Sequence, residues 1–225
     1  MKYYQLTCSQ DTGEIGFYPQ VGTASLVVNE EPGSLPSSNK NLKSDDQSAI
    51  TPLLIMHADA KVTDLLSSSV AGSNGMLLNK KMRVVLEKFK PDAIRFFPVS
   101  VKSRSGIYSY WLPSPDQFDF RFLDFQKSLI SIVGKAGNKV TDYSPKTGAE
   151  LTSMIEFLKP PQIVSIDFPV FVKNCKEDIL ILRYAGNEPT YYISENVKAV
   201  LRSESCSGIK LELLNSKGIR LEQSR

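Results

Sequence analysis

The sequence predicts an α+β protein with antiparallel sheets and three main helices, carrying a candidate duplication of a strand-helix-strand unit. Three observations predict it. Short runs rich in Val, Ile, Tyr and Phe recur between Gly, Pro and Asn breaks, which is the signature of strands. Three segments instead place apolar residues at helical spacing behind a Ser, Thr or Asn. Two of those helices sit in similar surroundings, near residue 80 and near residue 195.

From the N-terminus, Lys2 to Cys8 is Tyr-rich and reads as a first strand. Gly13 and Gly16 mark turns, and Phe17-Tyr18 reads as a short extended piece. Asn29 to Ser48 is polar and Pro/Ser-rich and is expected to be a long surface loop. Leu53 to Met56 restarts the core, and Lys61 to Leu66 continues it. Asn79 can cap a helix whose apolar positions Met82, Val85, Leu86 and Phe89 fall at i, i+3, i+4 and i+7. Pro91 stops it because proline cannot donate the next helical hydrogen bond. Ile94 to Val101 and Ile107 to Leu112 flank the turn signal Ser105-Gly106, a hairpin with aromatic cross-strand pairs. Pro113 and Pro115 are expected to break the sheet, and Phe118 to Phe122 alternates as a half-buried strand does.

Leu129 to Val133 and Lys139 to Tyr143 read as two strands around the turn Gly134 to Asn138. Thr147 and Glu150 form a capping box for a helix through Leu151, Met154, Ile155 and Leu158, closed by Pro160-Pro161. Ile163 to Ile166, Val170 to Val172, Ile179 to Leu182 and Tyr191 to Ile193 have strand character. Ser194 caps the last helix, with Val197, Val200 and Leu201 inward, and Gly208 precedes a final strand, Ile209 to Leu214.

Aligning Leu78 with Ile193 sets an offset of 115 residues (193 minus 78) that needs no gap through Val99. It matches the caps Asn79 and Ser194, then Met82 with Val197, Val85 with Val200, Leu86 with Leu201, Ile94 with Ile209 and Phe96 with Leu211. Asp64-Leu65-Leu66 also resembles Asp178-Ile179-Leu180 once one residue is inserted. Any strand-helix-strand unit shares some of this pattern, so duplication stands as an expectation. The corresponding division is 1–127 and 128–225, or one compact domain.

The net charge of +3 is small, and Lys and Arg alternate with acids, which argues against nucleic acid as a partner. Three dispersed cysteines without a C-x-x-C pair fit a reducing cytoplasm better than a disulfide scaffold. The first residues lack a signal-peptide core, and no apolar run approaches the ~20 residues that span a bilayer.

Candidate chemistry is sparse. His57 is the single histidine, in a short loop after a strand, so triads and multi-histidine metal sites lack partners. Ser37 to Lys40 fits S-x-x-K and Lys146 to Gly148 fits K-T-G, two β-lactamase marks, but one lies in a loop and the other leads into a helix. No catalytic residue, metal site or cofactor is expected. Asp116 and Asp119 keep open an alternative, a small hydrolase acting on carbohydrate or phosphoester through two carboxylates. The candidate partner-binding surface is Arg104, Tyr108, Tyr110, Trp111, Asp116, Asp119 and Arg121, because interfaces enrich Tyr, Trp and Arg; alternation turns about half of the aromatics inward.

One resemblance covers residues 1–6, 60–126 and 176–214. A Met1-to-Tyr4 strand, a capped Lys-rich helix, Phe96-Phe97-Pro98-Val99, Tyr110-Trp111 and Tyr191 to Lys198 followed by Gly208-Ile209 together resemble immunity proteins of bacterial polymorphic toxin systems. Asn79 stands where serine is more usual, and residues 128–175 have no counterpart in the likeness. The resemblance implies a non-enzymatic protein that binds and blocks a cognate toxin domain in the cytoplasm of the producing cell. A scaffold module with another partner is the third expectation.

Overall fold

The computed structural model describes residues 1–26, 52–70, 75–183 and 189–214. In chain order the elements are β1 (Tyr3–Cys8), the one-turn helix α1 (Thr12–Ile15), β2 (Val21–Leu26), β3 (Pro52–Met56), β4 (Leu65–Ser67), β5 (Met76–Leu78), α2 (Lys80–Phe89), β6 (Ile94–Ser103) and β7 (Gly106–Pro115). Next come β8 (Leu129–Val133), β9 (Lys139–Asp142), α3 (Gly148–Phe157), β10 (Ile163–Phe168), β11 (Ile179–Arg183), β12 (Pro189–Ser194), α4 (Glu195–Ser203) and β13 (Ile209–Leu214). This is an α+β protein dominated by sheet, with three main helices. The long loop expected at residues 29–48, and with it Ser37 to Lys40, lies outside the described residues.

The strands form three sheets. The first has the order β11-β12-β1-β13, the second β10-β8-β9, and the third β2-β3-β6-β7-β5-β4. The third curls towards a barrel: Val21 bridges Ser68 across its two edges, and Ser69 N–H donates to the Val21 carbonyl at 3.0 Å. Gln20, fully buried, seals that closure. Its side-chain oxygen accepts from Ser67 N–H at 3.1 Å, and its amide donates to Lys61 O at 2.7 Å and Thr63 Oγ1 at 3.0 Å. Leu54, Met56, Leu66, Leu77, Val99, Val101 and Tyr110 fill the interior.

Period-two alternation sends the other face of each barrel strand outward. There Leu65, Met76, Leu78 and Ile94 meet Met82, Val85 and Leu86 of α2 and Val197 and Leu201 of α4. Tyr4, Leu6, Ile179, Ile181, Tyr191 and Ile193, from one face of the first sheet, complete this core. The opposite face of the same sheet, through Tyr3, Leu180, Leu182 and Tyr192, packs on Leu151 of α3 and on Ile130, Val164 and Ile166 of the second sheet. The first sheet is therefore covered on both sides, which is why β12 is buried along its whole length.

The repeat suggested by the 115-residue offset is present in the architecture. In one unit β4 and β5 form an antiparallel pair, α2 crosses over, and β6 returns with β7 between β5 and β6. In the other, β11 and β12 pair, α4 crosses over, and β13 returns with β1 in between. The intervening strand follows β6 in the first unit and is the first strand of the chain in the second, so the two units share a strand arrangement but not the order of strands along the chain. Sheet membership thus crosses the boundary expected at residue 127: β1 belongs with the C-terminal strands. The equivalent pairs Met82 and Val197, Val85 and Val200, Leu86 and Leu201, Ile94 and Ile209, and Phe96 and Leu211 all face the shared core.

The helix ends are set by their caps. Asn79 Oδ1 accepts from Met82 N–H at 3.0 Å, and Thr147 Oγ1 from Glu150 N–H at 3.1 Å. Glu150 reaches back to Lys146 N–H rather than to the cap's own, so the capping box is displaced by one residue.

Four local expectations are corrected. Pro113 and Pro115 do not end the sheet; β7 runs through both. Asp116 N–H donates to the Ala93 carbonyl at 3.1 Å, which fixes the alternation of the β6–β7 ladder. Pro98, Pro113 and Pro115 all then fall in pairs whose N–H groups point away from the partner strand, where proline removes no ladder bond. Phe118 to Phe122 is not a strand: Phe120 to Phe122 winds into a 3₁₀ turn that stacks Phe118 on Phe120 and aims the aromatics at one core. Val170 to Val172 makes only the bridge Leu123–Phe171, and Phe17-Tyr18 lies in a bend.

Tyr191 is fully buried, and among the described residues its hydroxyl has no hydrogen-bond partner. The position equivalent to it in the other unit is Met76, which needs none. Tyr191→Phe is expected to stabilise the fold by about 1 kcal/mol, since an unpaired buried hydroxyl forfeits its hydration. A raised urea midpoint at unchanged slope checks this; a lowered midpoint would count against it.

Candidate functional site

The site forms where β5 ends and α2 begins. Asp64, at the start of β4, gathers donors from three directions. Its carboxylate accepts from Asn79 Nδ2 at 2.5 Å, from Lys81 Nζ at 2.9 Å, and from both the N–H and hydroxyl of Ser207 at 2.8 Å. Its backbone carbonyl accepts Asn79 N–H at 2.9 Å. Burial alone would raise the Asp64 pKa; the bonds from Lys81, Ser207 and Asn79 outweigh it and hold the carboxyl below its usual value. Lys81 also donates to the carbonyls of Glu204 and Ser205 at the end of α4, so one charge pair ties the start of α2 to the end of α4.

Gly208 completes the turn beside Ser207. It adopts φ +74°, and a Cβ there would lie 2.2 Å from the Leu65 carbonyl, so the close approach requires glycine.

Beside this cluster opens a cavity of about 310 Å³, with Val62 and Thr63 on one wall and Tyr108, Ser109 and Tyr110 on the other. Asn79, Lys80 and Ser207 complete its lining. Tyr110 crosses the barrel end and donates its hydroxyl to the Thr63 carbonyl; burial first, and then the nearby Asp64 charge, keep that phenol protonated.

The surface residues expected from sequence do not form one continuous patch. Tyr108 and Tyr110 reach the cavity, but Tyr110 is only 2% exposed and is barrel core, so it leaves the candidate contact surface. Tyr108 is half-buried, with its hydroxyl 2.9 Å from Ser105 Oγ. Trp111 lies on the outer barrel face under the Arg83 guanidinium, 5.2 Å from the ring, and Arg104 stands at the hairpin tip with 75% of its side chain exposed. Asp116 pairs with Arg95 at 2.6 Å at the far end of β7, about 20 Å along the strand from Ser109. Asp119 is a correction: it is buried, ion-paired to Lys90 at 2.7 Å, and accepts Ile181 N–H at 2.8 Å, so it docks the end of α2 on β11. Arg121 is exposed and stacks on Phe122 at 4.7 Å. Asp116 and Asp119 are thus held by different cations, and the geometry gives the two-carboxylate hydrolase no support.

Sequence reasoning missed Asp64, Ser109 and Ser207 as parts of the site. The match of Asp64-Leu65-Leu66 to Asp178-Ile179-Leu180 was the available signal for Asp64, since both aspartates precede a hairpin and bind the cap of the helix beyond it. His57 stacks on Phe17 at 3.5 Å between ring centres. Lys146 to Gly148 opens α3 instead of occupying a strand. The three cysteines are free, and burial pushes the Cys8 thiol up to about 12. Among the described residues no group of three or more His, Cys, Asp or Glu side chains is placed to hold a metal, and no helix is long and apolar enough to cross a membrane.

Asp64→Ala is expected to cost about 2–3 kcal/mol, because it strands several donors at once, whereas Asp178→Ala, with fewer partners, costs about 1–2 kcal/mol. The Asp64 carboxyl is lowered in the folded state, so its contribution is complete above the ordinary aspartate range near pH ~4 and is lost as pH falls through the folded-state value. Denaturant titrations between neutral and acid pH should show a shallower acid limb for Asp64→Asn; an identical limb would remove Asp64 as a source of it.

Compared with known proteins, the chain matches no family model and no curated protein.

Proposed function

We propose that this chain is an immunity protein that binds a cognate bacterial toxin domain and neutralises it without catalysis, in the cytoplasm of the cell that makes both. The observation that carries the reading is the outer face of the β6–β7 hairpin. By register, Ile55, Lys102 and Ile107 form one row of side chains on that face, Ser100 and Ser109 a second, and Pro98 and Trp111 a third. Ile107 is 65% exposed and Ile55 37%, Trp111 carries Arg83 on its ring, and Arg104 extends from the tip. An apolar and aromatic centre with arginine at its margin is the composition from which protein contacts draw most of their energy.

The segments that resemble the immunity family support the reading in a second way. Tyr4, Asn79, Ser194 and Lys198 are occupied with one another or with the helix caps, so this part of the shared pattern belongs to the framework. A framework kept in common beside an exposed face free to vary suits a set of proteins that each recognise a different toxin.

Co-expression with the toxin-like product of an adjacent reading frame tests it. The expected result is rescued growth and a stable complex, with Ile107→Asp and Trp111→Ala each weakening binding by at least about tenfold. The single tryptophan, Trp111, gives a fluorescence readout of the contact. A folded chain that neither binds nor rescues would overturn the proposal.

A further inference from the structure

We propose that the outer edge of β7, from Gly106 to Ser109, is a strand-addition site that takes an extended segment of the partner by main-chain hydrogen bonds. The inference rests on the binding reading above and names how the partner is held.

The bond from Asp116 N–H to the Ala93 carbonyl makes every second residue of β7, counted back from 116, face β6. Tyr108 and Tyr110 spend their main-chain groups there. Ile107, Ser109 and Trp111 therefore direct theirs to the opposite side. On that side β5 pairs only through Leu78 and Trp111, after which the chain turns at Asn79 into α2. No strand of the described residues pairs with β7 beyond that point. The outward N–H and carbonyl groups of Ile107 and Ser109 lie past the ladder's end, and Ser109 also lines the 310 Å³ cavity.

The other unit shows that the ladder could have continued. There the pairing of β12 with β1 includes Tyr4 with Ile193, equivalent to Trp111 with Leu78, and goes one step further to Tyr3 with Ser194. In the first unit the equivalent step, Tyr110 with Asn79, is missing, and the cavity occupies that place. An unpaired edge is costly unless water or a partner satisfies it, and proteins ordinarily blunt or cover such edges. Here the edge is flanked by exposed Ile107 and Ser109 and carries no proline until Pro113. A strand of the partner laid along it would gain main-chain bonds and would set its side chains against Val62 on one side and Ile107 on the other.

Proline gives a clean test, because β7 already accepts it at Pro113 and Pro115, which share the outward direction of Ser109. Ser109→Pro deletes the outward N–H and leaves the β6–β7 ladder intact; Ser109→Ala deletes only the hydroxyl. Binding of the adjacent-frame toxin domain should be within about threefold of wild type for Ser109→Ala and weakened at least about thirtyfold for Ser109→Pro. Ser109→Pro binding as well as wild type would overturn the inference. Amide exchange supplies a second measurement that needs no variant. In the free chain Ile107 and Ser109 should exchange rapidly while Tyr108 and Tyr110 are protected, and the complex should protect all four. Protection of Ile107 and Ser109 in the free chain, or none gained in the complex, also overturns it. A wild-type chain that does not bind sinks the immunity reading itself, and this inference with it; a wild-type chain that binds while Ser109→Pro is unaffected sinks strand addition alone.

Discussion

The structure depends on an aspartate placed one step before a hairpin and used to anchor the helix beyond it. A helix begins with N–H groups that have no partner of their own, and the cap that satisfies them must itself be held. Asp64 holds Asn79 by side chain and by backbone, and Asp178 holds Ser194 in the same two ways. Each arrangement fixes where the helix leaves its strand, and so which face of the helix meets the sheet. The echo extends further. Lys81 and Asn196 both reach the aspartate of their own unit, Tyr110 and Tyr3 donate to the carbonyls of Thr63 and Glu177 just before those aspartates, and Arg83 and Lys198 lie over Trp111 and Tyr4. Side chains of different chemistry fill equivalent positions with equivalent geometry, and that constrains the repeat far more tightly than apolar periodicity can.

The two clamps differ in reach. Among the described residues, Asp178 binds only residues of its own unit, whereas Asp64 also accepts both donors of Ser207, from the loop between α4 and β13. Lys81 then spans from Asp64 to the carbonyls at the end of α4. One carboxylate therefore joins the units, and the shared apolar core between α2 and α4 is closed by a polar seam at its edge. Pairing a mostly buried charge with several donors at once is what makes that placement tolerable.

Much of this was legible in the sequence for a physical reason. Caps act locally, so Asn79, Thr147 and Ser194 announced their helices, and the turn signal Ser105-Gly106 between two β-rich runs announced the β6–β7 hairpin. The 115-residue offset was legible because both helices bury the same face against the same core. What could not be read was long-range. Nothing local shows that β1 completes the sheet of β12 and β13, or that β2 meets β4 to close a barrel. Pro113 and Pro115 misled because a proline's cost depends on which way its missing N–H would point, and that is set by the ladder's register. Asp119 looked like a surface acid because its partners, Lys90 and Ile181, are distant in sequence.

The candidate site was half legible for a related reason. Aromatic and arginine content pointed to the hairpin, but not to the edge where its pairing stops. Where two units share a framework so closely, the places at which they part company carry information. The second unit continues its ladder to Tyr3 and Ser194; the first stops at Trp111 and leaves a cavity between Ser109 and the segment before Asp64. The aspartate clamp cannot be the cause, because both units have it. The difference lies in the direction the chain takes beyond the shared pair: β1 begins there, while β7 arrives from the long β6 hairpin with two more outward residues to satisfy. Past Trp111, β7 keeps β6 on one side, while the outward main-chain groups of Ile107 and Ser109 gain no strand partner among the described residues. A strand from a second chain would complete the ladder on that side.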